Sequence, residues 1–392
     1  MYRNTYVEID VSKIKNNVKT ILKTYNYQYY IGVVKGNGYG HGAYIAKSIA
    51  EAGLNYLAVS TLDEVLEIRK YVAKNIPILC LQPIEIKDLD LCLKNNVVIT
   101  ISSYNYFQEL IKVETIKGLK VHLKLDTGMN RLGINNKEEV DLIYNYFQKN
   151  NEIKLEGIYT HLATTGISDN RWDKQIQKFK FLISKLDLSK IPIIHVGGTN
   201  TLVYHPKLEF CNGIRIGIIL YGVSPRPLNK KGFLNYLRTI KRNTKRRFYN
   251  LSPINDDFNL NLDLGLSLIS EIIEIKDVKK GEYVGYGINT LIEKDIKIAI
   301  IPIGYADGLS LKNSGRDVII NNRYYPIVGI VNMGMITVQI DESISINDKV
   351  IIIGDNIRYI CTHIKTTPYQ LFSSISKDLP RIYIENGKRI EE

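Results

Sequence analysis

The chain has 392 residues, of which 45% are hydrophobic and 23% charged. These are the proportions of a soluble globular protein of two or three domains, or of one large barrel with an attachment, and they exclude collagen-like, coiled-coil and wholly disordered chains. Lys and Arg number 52 against 40 Asp and Glu, a net charge of +12, which favours anionic small molecules, nucleic acid or acidic lipid as partners without bearing on the fold.

The first 220 residues alternate short apolar β-rich runs with stretches of helical period. The runs fall at 29–34, 56–60, 77–81, 97–101, 121–125, 155–160, 192–196 and 214–220, with helical patterns at 11–24, 43–52, 62–73, 103–112, 136–149 and 170–188 between them. Strands separated by helices predict βαβ units and a parallel sheet covered on both faces. Eight runs match an eight-stranded β/α barrel, with a doubly wound open sheet as the competing arrangement. Residues 226–262 are polar and contain Pro227 and Pro253, which reads as a linker with an inserted segment. From 266 onward the period is two, with a turn signal every 8–14 residues, which predicts a β domain, a sandwich or barrel. The expected organisation is therefore a barrel over 1–228, with the first strand (1–10) open to joining the β domain, a basic linker or insertion over 229–262, and a mostly-β domain over 263–392.

Four cysteines, Cys80, Cys92, Cys211 and Cys361, form no CxxC pair, so neither a zinc site nor a disulfide framework is expected, and no metal. The opening residues lack an apolar leader and no run of 18 apolar residues occurs, so a cytoplasmic location is expected and no membrane partner.

In such a barrel the active site lies at the C-terminal strand ends. There the first predicted strand ends in Lys35, followed by Gly36-Asn37-Gly38-Tyr39-Gly40-His41-Gly42, and other strand ends carry Lys124, Asp126, Arg131, His161, His195, Gly197-Gly198-Thr199, Arg215 and Gly217. A lysine closing an apolar strand either snorkels to the mouth or, desolvated near other cations, becomes a neutral amine able to form a Schiff base. The glycines after it do not follow the GxGxxG dinucleotide pattern. Gly197, Gly198, Thr199 and Gly217 offer backbone approach and a hydroxyl for a phosphate. A reactive lysine facing a phosphate cradle points to pyridoxal 5'-phosphate.

The run VVKGNGYGHG resembles the cofactor-lysine motif of the alanine racemase family, and LKLDTGMNRLG, EGIYTHLATT, IRIGIILYGVSP, VGYG, IPIGYADG and PYQLFSSISKDLPRIY resemble its later motifs in the same order. The resemblance implies a β/α barrel with a C-terminal β domain, and a pyridoxal-phosphate-dependent racemase interconverting L- and D-alanine for peptidoglycan. It implies Lys35 as cofactor lysine and first base, and Tyr286 as second base. It further implies Tyr39, Thr199, Gly217, Ile218 and Tyr369 at the phosphate, Arg215 at the pyridine nitrogen, Arg131 at the phenolic oxygen, and His161 beside the ring. Tyr305, Met333 and Arg131 would contact substrate. Lys124 matches a lysine that is carbamylated in many relatives, against the alternative of pairing with Asp126. A homodimer sharing its sites follows, since the β domain reaches the partner's barrel in relatives.

The chain departs from the family at Met333-Gly334-Met335, where Met-Asp is common, and at Gly198-Thr199, where Asn-Ser is usual. Gly334 motivates an alternative reading, a racemase for serine or a larger or basic amino acid. A decarboxylase is disfavoured by Arg215, and a non-catalytic cofactor carrier by the β domain and second base. The segment around Lys230, Lys231, Arg238, Lys241, Arg242, Lys245, Arg246 and Arg247 is read as a solvated loop, with nucleic acid an unlikely partner.

Overall fold

The computed structural model describes residues 3–167, 169–225, 233–255, 258, 260–288 and 290–390. Strands β2 (Tyr29–Val33), β3 (Tyr56–Val59), β4 (Ile78–Cys80), β5 (Val97–Ile101), β6 (Lys120–Leu125), β7 (Lys154–Thr160), β8 (Ile193–Val196) and β9 (Gly213–Ile216) close in sequence order into a parallel barrel. Closure between β9 and β2 pairs Ile31 with Arg215, which rules out the open sheet. Four of the helices between the strands begin at a short polar side chain that caps them. Asp10 accepts from Lys13 N at 3.1 Å, and Thr61, Ser103 and Asn136 do the same for later helices, each satisfying a backbone N–H that has no partner within its helix.

The inside of the barrel is divided. Ile31, Val33, Tyr56, Ala58, Leu79, Val98 and Ile193 form one apolar cluster. The polar His122, Lys124, His195 and Arg215 are also buried, and they come from β6, β8 and β9. Strand β9 ends at Ile216 rather than Leu220, and Ile218–Tyr221 is a 3-10 turn. A Cβ on Gly217 would lie 2.8 Å from the Tyr39 hydroxyl, so this position holds the first and last barrel strands close together.

The second unit is one continuous ten-stranded sheet. Its strands are β1 (Tyr6–Asp10), β10 (Leu266–Glu271), β11 (Glu274–Val278), β12 (Ile296–Ile301), β13 (Asp317–Ile320), β14 (Arg323–Val328), β15 (Ile336–Ile340), β16 (Lys349–Ile353), β17 (Arg381–Glu385) and β18 (Lys388–Arg389). Their order is β11-β12-β15-β14-β13-β16-β10-β1-β17-β18. The first strand of the chain sits between β10 and β17, so the two ends of the chain meet in this sheet. Helices Ile357–His363 and Pro368–Ser373 complete the unit. The four cysteines are buried and free.

The polar 226–262 segment is not a plain loop. Residues Phe233–Phe248 form a 16-residue helix, whose helical period the prolines and charge obscure in the sequence. Lys230 and Lys231 lie outside the described residues. Among the described residues no helix is long and apolar enough to cross a membrane.

Candidate active site

A cavity of about 940 Å³ opens at the C-terminal ends of the barrel strands. Its wall gathers Lys35 and Tyr39 from the turn after β2, Lys124 from β6, Arg131 from the following loop, and His161 after β7. Thr199 follows β8, Arg215 is on β9, Gly217 and Ile218 follow it, and Tyr369 reaches in from the β domain. The sequence-predicted cofactor residues therefore meet in one place.

The turn carrying Lys35 is unusual. Gly36, Asn37, Gly38, Tyr39 and Gly40 all have positive φ, between 53° and 79°, a left-handed turn that only glycine adopts without steric cost. His41, buried, holds the turn through Nδ1 at 3.0 Å from Gly38 O and 2.9 Å from Tyr39 O. A Cβ at Gly40 would come within 2.2 Å of Phe372 O, so the turn presses against the β-domain helix that carries Tyr369. The rings of Tyr39 and Tyr369 stand 6.0 Å apart.

Four cations, Lys35, Lys124, Arg131 and Arg215, line the cavity with one carboxylate, Glu64. Glu64 accepts from Gly36 N at 2.6 Å and Ser60 N at 2.7 Å. Burial pushes the Lys35 amine down, and Arg131 and Arg215 push it further while Glu64 opposes them. Burial, then Arg131 and Arg215, bring Lys124 down to about 8. Lys124 and Asp126 make no ion pair among the described residues. Asp126 accepts instead from the backbone of Gly128, Met129 and Asn130, and Lys124 lies 5.7 Å from the Tyr159 ring centre. His161 is held neutral, pushed down to about 3 by burial and then by Arg215 and Arg131.

Arg215 is fixed from behind by a buried chain of polar groups. Its guanidinium donates to Thr160 O at 2.6 Å and to His195 Nδ1 at 2.6 Å, and approaches His161 Nδ1 at 3.3 Å. Because Arg215 can only donate, His195 carries its proton on Nε2, which lies 2.9 Å from His122 Nδ1. His122 Nε2 then faces Glu156 Oε2 at 3.4 Å, which also accepts from Tyr56 at 2.6 Å, while Glu156 Oε1 pairs with Lys120 at 3.0 Å. Burial works to raise the Glu156 carboxyl, but the bonds from His122, Tyr56 and Lys120 outweigh it and hold it at about 2.

Tyr286, Tyr305 and Met333 do not line this cavity. They stand on the β domain, 72%, 45% and 62% exposed, and Tyr286 opens a short turn beside Gly285 and Gly287. Among the described residues the tyrosines that line the cavity are Tyr39, Tyr159 and Tyr369, so Tyr286, expected as second base, is not brought to Lys35 within one chain.

Two family models match this chain, the alanine racemase N-terminal domain over residues 9–225 and the alanine racemase C-terminal domain over 265–383. The chain belongs to the alanine racemase family. It is 32% identical to alanine racemase 1 of Bacillus subtilis, over all of this chain and 95% of that one. It is 33% identical to the alanine racemase of Clostridium tetani, over 98% and 96%. The solved alanine racemase of Bacillus anthracis with bound L-Ala-P superposes with a TM-score of 0.83 at 30% identity, covering 100% and 97% of the two chains. A histidine racemase from Leuconostoc mesenteroides shares the fold at TM-score 0.82 and 23% identity, over 98% of each chain.

The alanine racemase motifs pointed to the residues at the cavity wall. Sequence reasoning missed Glu64, Tyr56, His122, Glu156 and Tyr159. For His122 a signal existed: it sits two residues before Lys124 on one strand, so both share a face. Glu156 follows less readily, because pairing between β6 and β7 shifts register at His122. Gly157 makes room there, since a Cβ would lie 2.7 Å from the His122 ring.

Proposed function

We propose that this chain is a pyridoxal-5'-phosphate-dependent racemase that interconverts L- and D-alanine and supplies D-alanine for peptidoglycan. The observation that carries the reading is the Lys35 amine, held at a strand end with its pKa lowered, in a cavity of four cations and one carboxylate. That donor set fits a group bearing an aldehyde and a phosphate. Tyr39, Thr199, Gly217, Ile218 and Tyr369 would hold the phosphate, Arg131 the phenolic oxygen and Arg215 the ring nitrogen, with His161 beside the ring. When bound, the cofactor supplies an aldehyde that takes up the substrate nitrogen and a ring that acidifies the α-carbon–hydrogen bond.

Lys35 Nζ takes the α-proton on one face of the substrate, and burial among cations favours the neutral amine this needs. Arg131 contacts substrate from the barrel, and the partner subunit's Tyr305 and the partner subunit's Met333 narrow the entrance. The partner subunit's Tyr286 hands a proton to the opposite face from its hydroxyl. This assignment calls for a head-to-tail homodimer, since Tyr286 is exposed on its own chain and does not line that chain's cavity. Arg215, always charged and held by His195 and Thr160, keeps the ring nitrogen from gaining a proton, which confines the reaction to proton exchange at the α-carbon. Lys124, neutral in appreciable fraction near pH 8, adds carbon dioxide at Nζ with loss of a proton. The resulting carbamate anion balances Arg131 and Arg215; isotopically labelled bicarbonate should leave a label on Lys124, absent from Lys124→Met.

The test is to incubate the holoenzyme with each L-amino acid and separate the enantiomers. D-alanine should dominate, and borohydride should fix the cofactor to the peptide containing Lys35. A protein that stays colourless with added cofactor overturns the reading. Gly334, where a Cβ would have open space around it, favours a second substrate reading, serine or a larger or basic amino acid. That reading prevails if such a substrate turns over faster than alanine.

A further inference from the structure

Between the two stretches matched by the family models, residues 226–262 hold nine Lys and Arg against two Asp. More than half of the chain's net charge of +12 therefore lies in this segment. Its helix, Phe233–Phe248, is about 24 Å long at 1.5 Å per residue. It is attached to the barrel by polar groups. Thr239, Arg242, Asn243 and Arg246, spaced i, i+3, i+4, i+7, make the protein-facing stripe, all intermediate or buried. Arg246 donates to Asp173 at 2.6 Å, to Ser252 O at 2.6 Å and to Gly166 O at 2.9 Å. Asn243 exchanges hydrogen bonds of 3.0 Å each with the backbone of Ile254.

The outward stripe is mostly apolar, with Thr244 and Arg247 set among its larger side chains. Tyr236, Leu237, Ile240 and Phe248 fall within about a third of the helix circumference and are 62%, 44%, 45% and 81% exposed. Lys241 and Lys245 border that stripe on one side, and Arg247 projects from within it between Tyr236 and Ile240, all exposed. A helix that binds its own protein through polar side chains and turns its apolar side to solvent inverts the usual pattern of a surface helix. We propose that this helix docks in the plane of an anionic lipid bilayer, with the apolar stripe entering the headgroup boundary and the flanking cations on lipid phosphates. Exposed apolar side chains with cations beside and among them match an interfacial helix, whose long basic side chains reach up to lipid phosphates. Leu237 and Ile240 at the centre favour hydrocarbon over stacked nucleic-acid bases. The inference is independent of the reaction proposed above.

Flotation of the full-length holoenzyme tests it, with vesicles of phosphatidylcholine alone and with about a third phosphatidylglycerol. The protein should float with the anionic vesicles and not the neutral ones, less so as salt rises. Leu237→Asn with Ile240→Asn should weaken binding at least about tenfold, since each loses a side chain's worth of apolar burial. Lys241→Glu with Lys245→Glu should weaken it independently and carries the test if the apolar variant misfolds. Turnover in solution should be unchanged in both. Absence of binding, equal binding to neutral vesicles, or an unaffected apolar variant overturns the proposal. So does a fall in solution mass in that variant, which would show a second copy covering the stripe, or salt-sensitive retention of RNA that both variants' parent shows without lipid binding.

Discussion

In the proposed function, Arg215 is the residue on which the choice of reaction turns. Its guanidinium is buried and held by Thr160 and His195, so it cannot swing away from the cavity without leaving buried acceptors unpaired. Arg215→Glu should slow racemisation at least about tenfold, about 1.4 kcal/mol of barrier, while pyruvate from transamination takes a larger share of product. An unchanged rate and product ratio would show that Arg215 does not face the ring. Glu156 lies at the far end of the same buried chain and touches nothing in the cavity, so it acts as a positioning residue. Its carboxyl is depressed from an ordinary 4.5 to about 2. Such a group stabilises the fold above pH 4.5, and the stabilisation is lost as pH falls toward 2. The difference is worth roughly 3 kcal/mol. Glu156→Gln should be less stable than the parent at neutral pH, with the gap closing across that acid window in urea titrations. A constant gap would mean that the charge is not what His122 and Tyr56 require.

The left-handed turn 36–40 shows how one short element links Lys35, Tyr39 and the second domain. Two of its glycines separate backbone strain from packing. Gly36 has φ 64° with no atom within 4 Å of a built Cβ, whereas Gly40 has φ 79° and Phe372 O at 2.2 Å. Gly36→Ala should cost only the left-handed penalty, about 1–2 kcal/mol. Gly40→Ala must also displace the Pro368–Ser373 helix, and should lower the thermal midpoint distinctly more and weaken cofactor retention through Tyr369. Equal losses at both positions would refute the packing argument. The 226–262 segment teaches the opposite lesson about elements. Its helix is stabilised by Arg246 on Asp173, a tertiary contact that no local pattern announces.

At the level of the whole molecule, the β domain does two jobs with two faces. One face grips its own barrel. Tyr383 donates to His41 O at 3.0 Å, Arg381 donates to Gly40 O at 3.2–3.3 Å, and Asn17 donates to Asp263 O at 2.8 Å. The other presents Tyr286, Tyr305 and Met333 to solvent. Tyr286→Phe keeps the ring and removes the oxygen that the proposed mechanism uses to move the proton. Racemisation should fall about 10²–10⁴-fold in both directions, because the equilibrium is fixed by the substrates. In solvent of heavy water the variant should still exchange the α-proton of D-alanine, through Lys35, and lose exchange of L-alanine. Mixing Tyr286→Phe with Lys35→Ala protein should restore activity, because a hybrid dimer owns one intact site. No recovery, with hybrid dimers present by mass, would place both bases in one chain.

The sequence by itself determined the elements whose burial is periodic and local. The eight β-rich runs and the helical stretches between them, the lysine that closes the first run and the glycine-rich turn after it follow from strand alternation and side-chain chemistry, whereas Tyr39, Ile218 and Tyr369 were pointed to by resemblance to the alanine racemase family. The period-two pattern after 266 likewise gave a β domain, though its single ten-stranded order was not legible. Only the tertiary structure decided the closure of β9 on β2, the place of β1 between β10 and β17, and the buried line from Arg215 through His195 and His122 to Glu156. It also set the attachment of the 233–248 helix and the exposure of Tyr286. Each of these joins residues far apart in the chain, through register, through a glycine that makes room, or through a polar group that must find its partner once water is gone. A sequence fixes which side chains need such partners, and the closed barrel and its sheet fix which ones they meet.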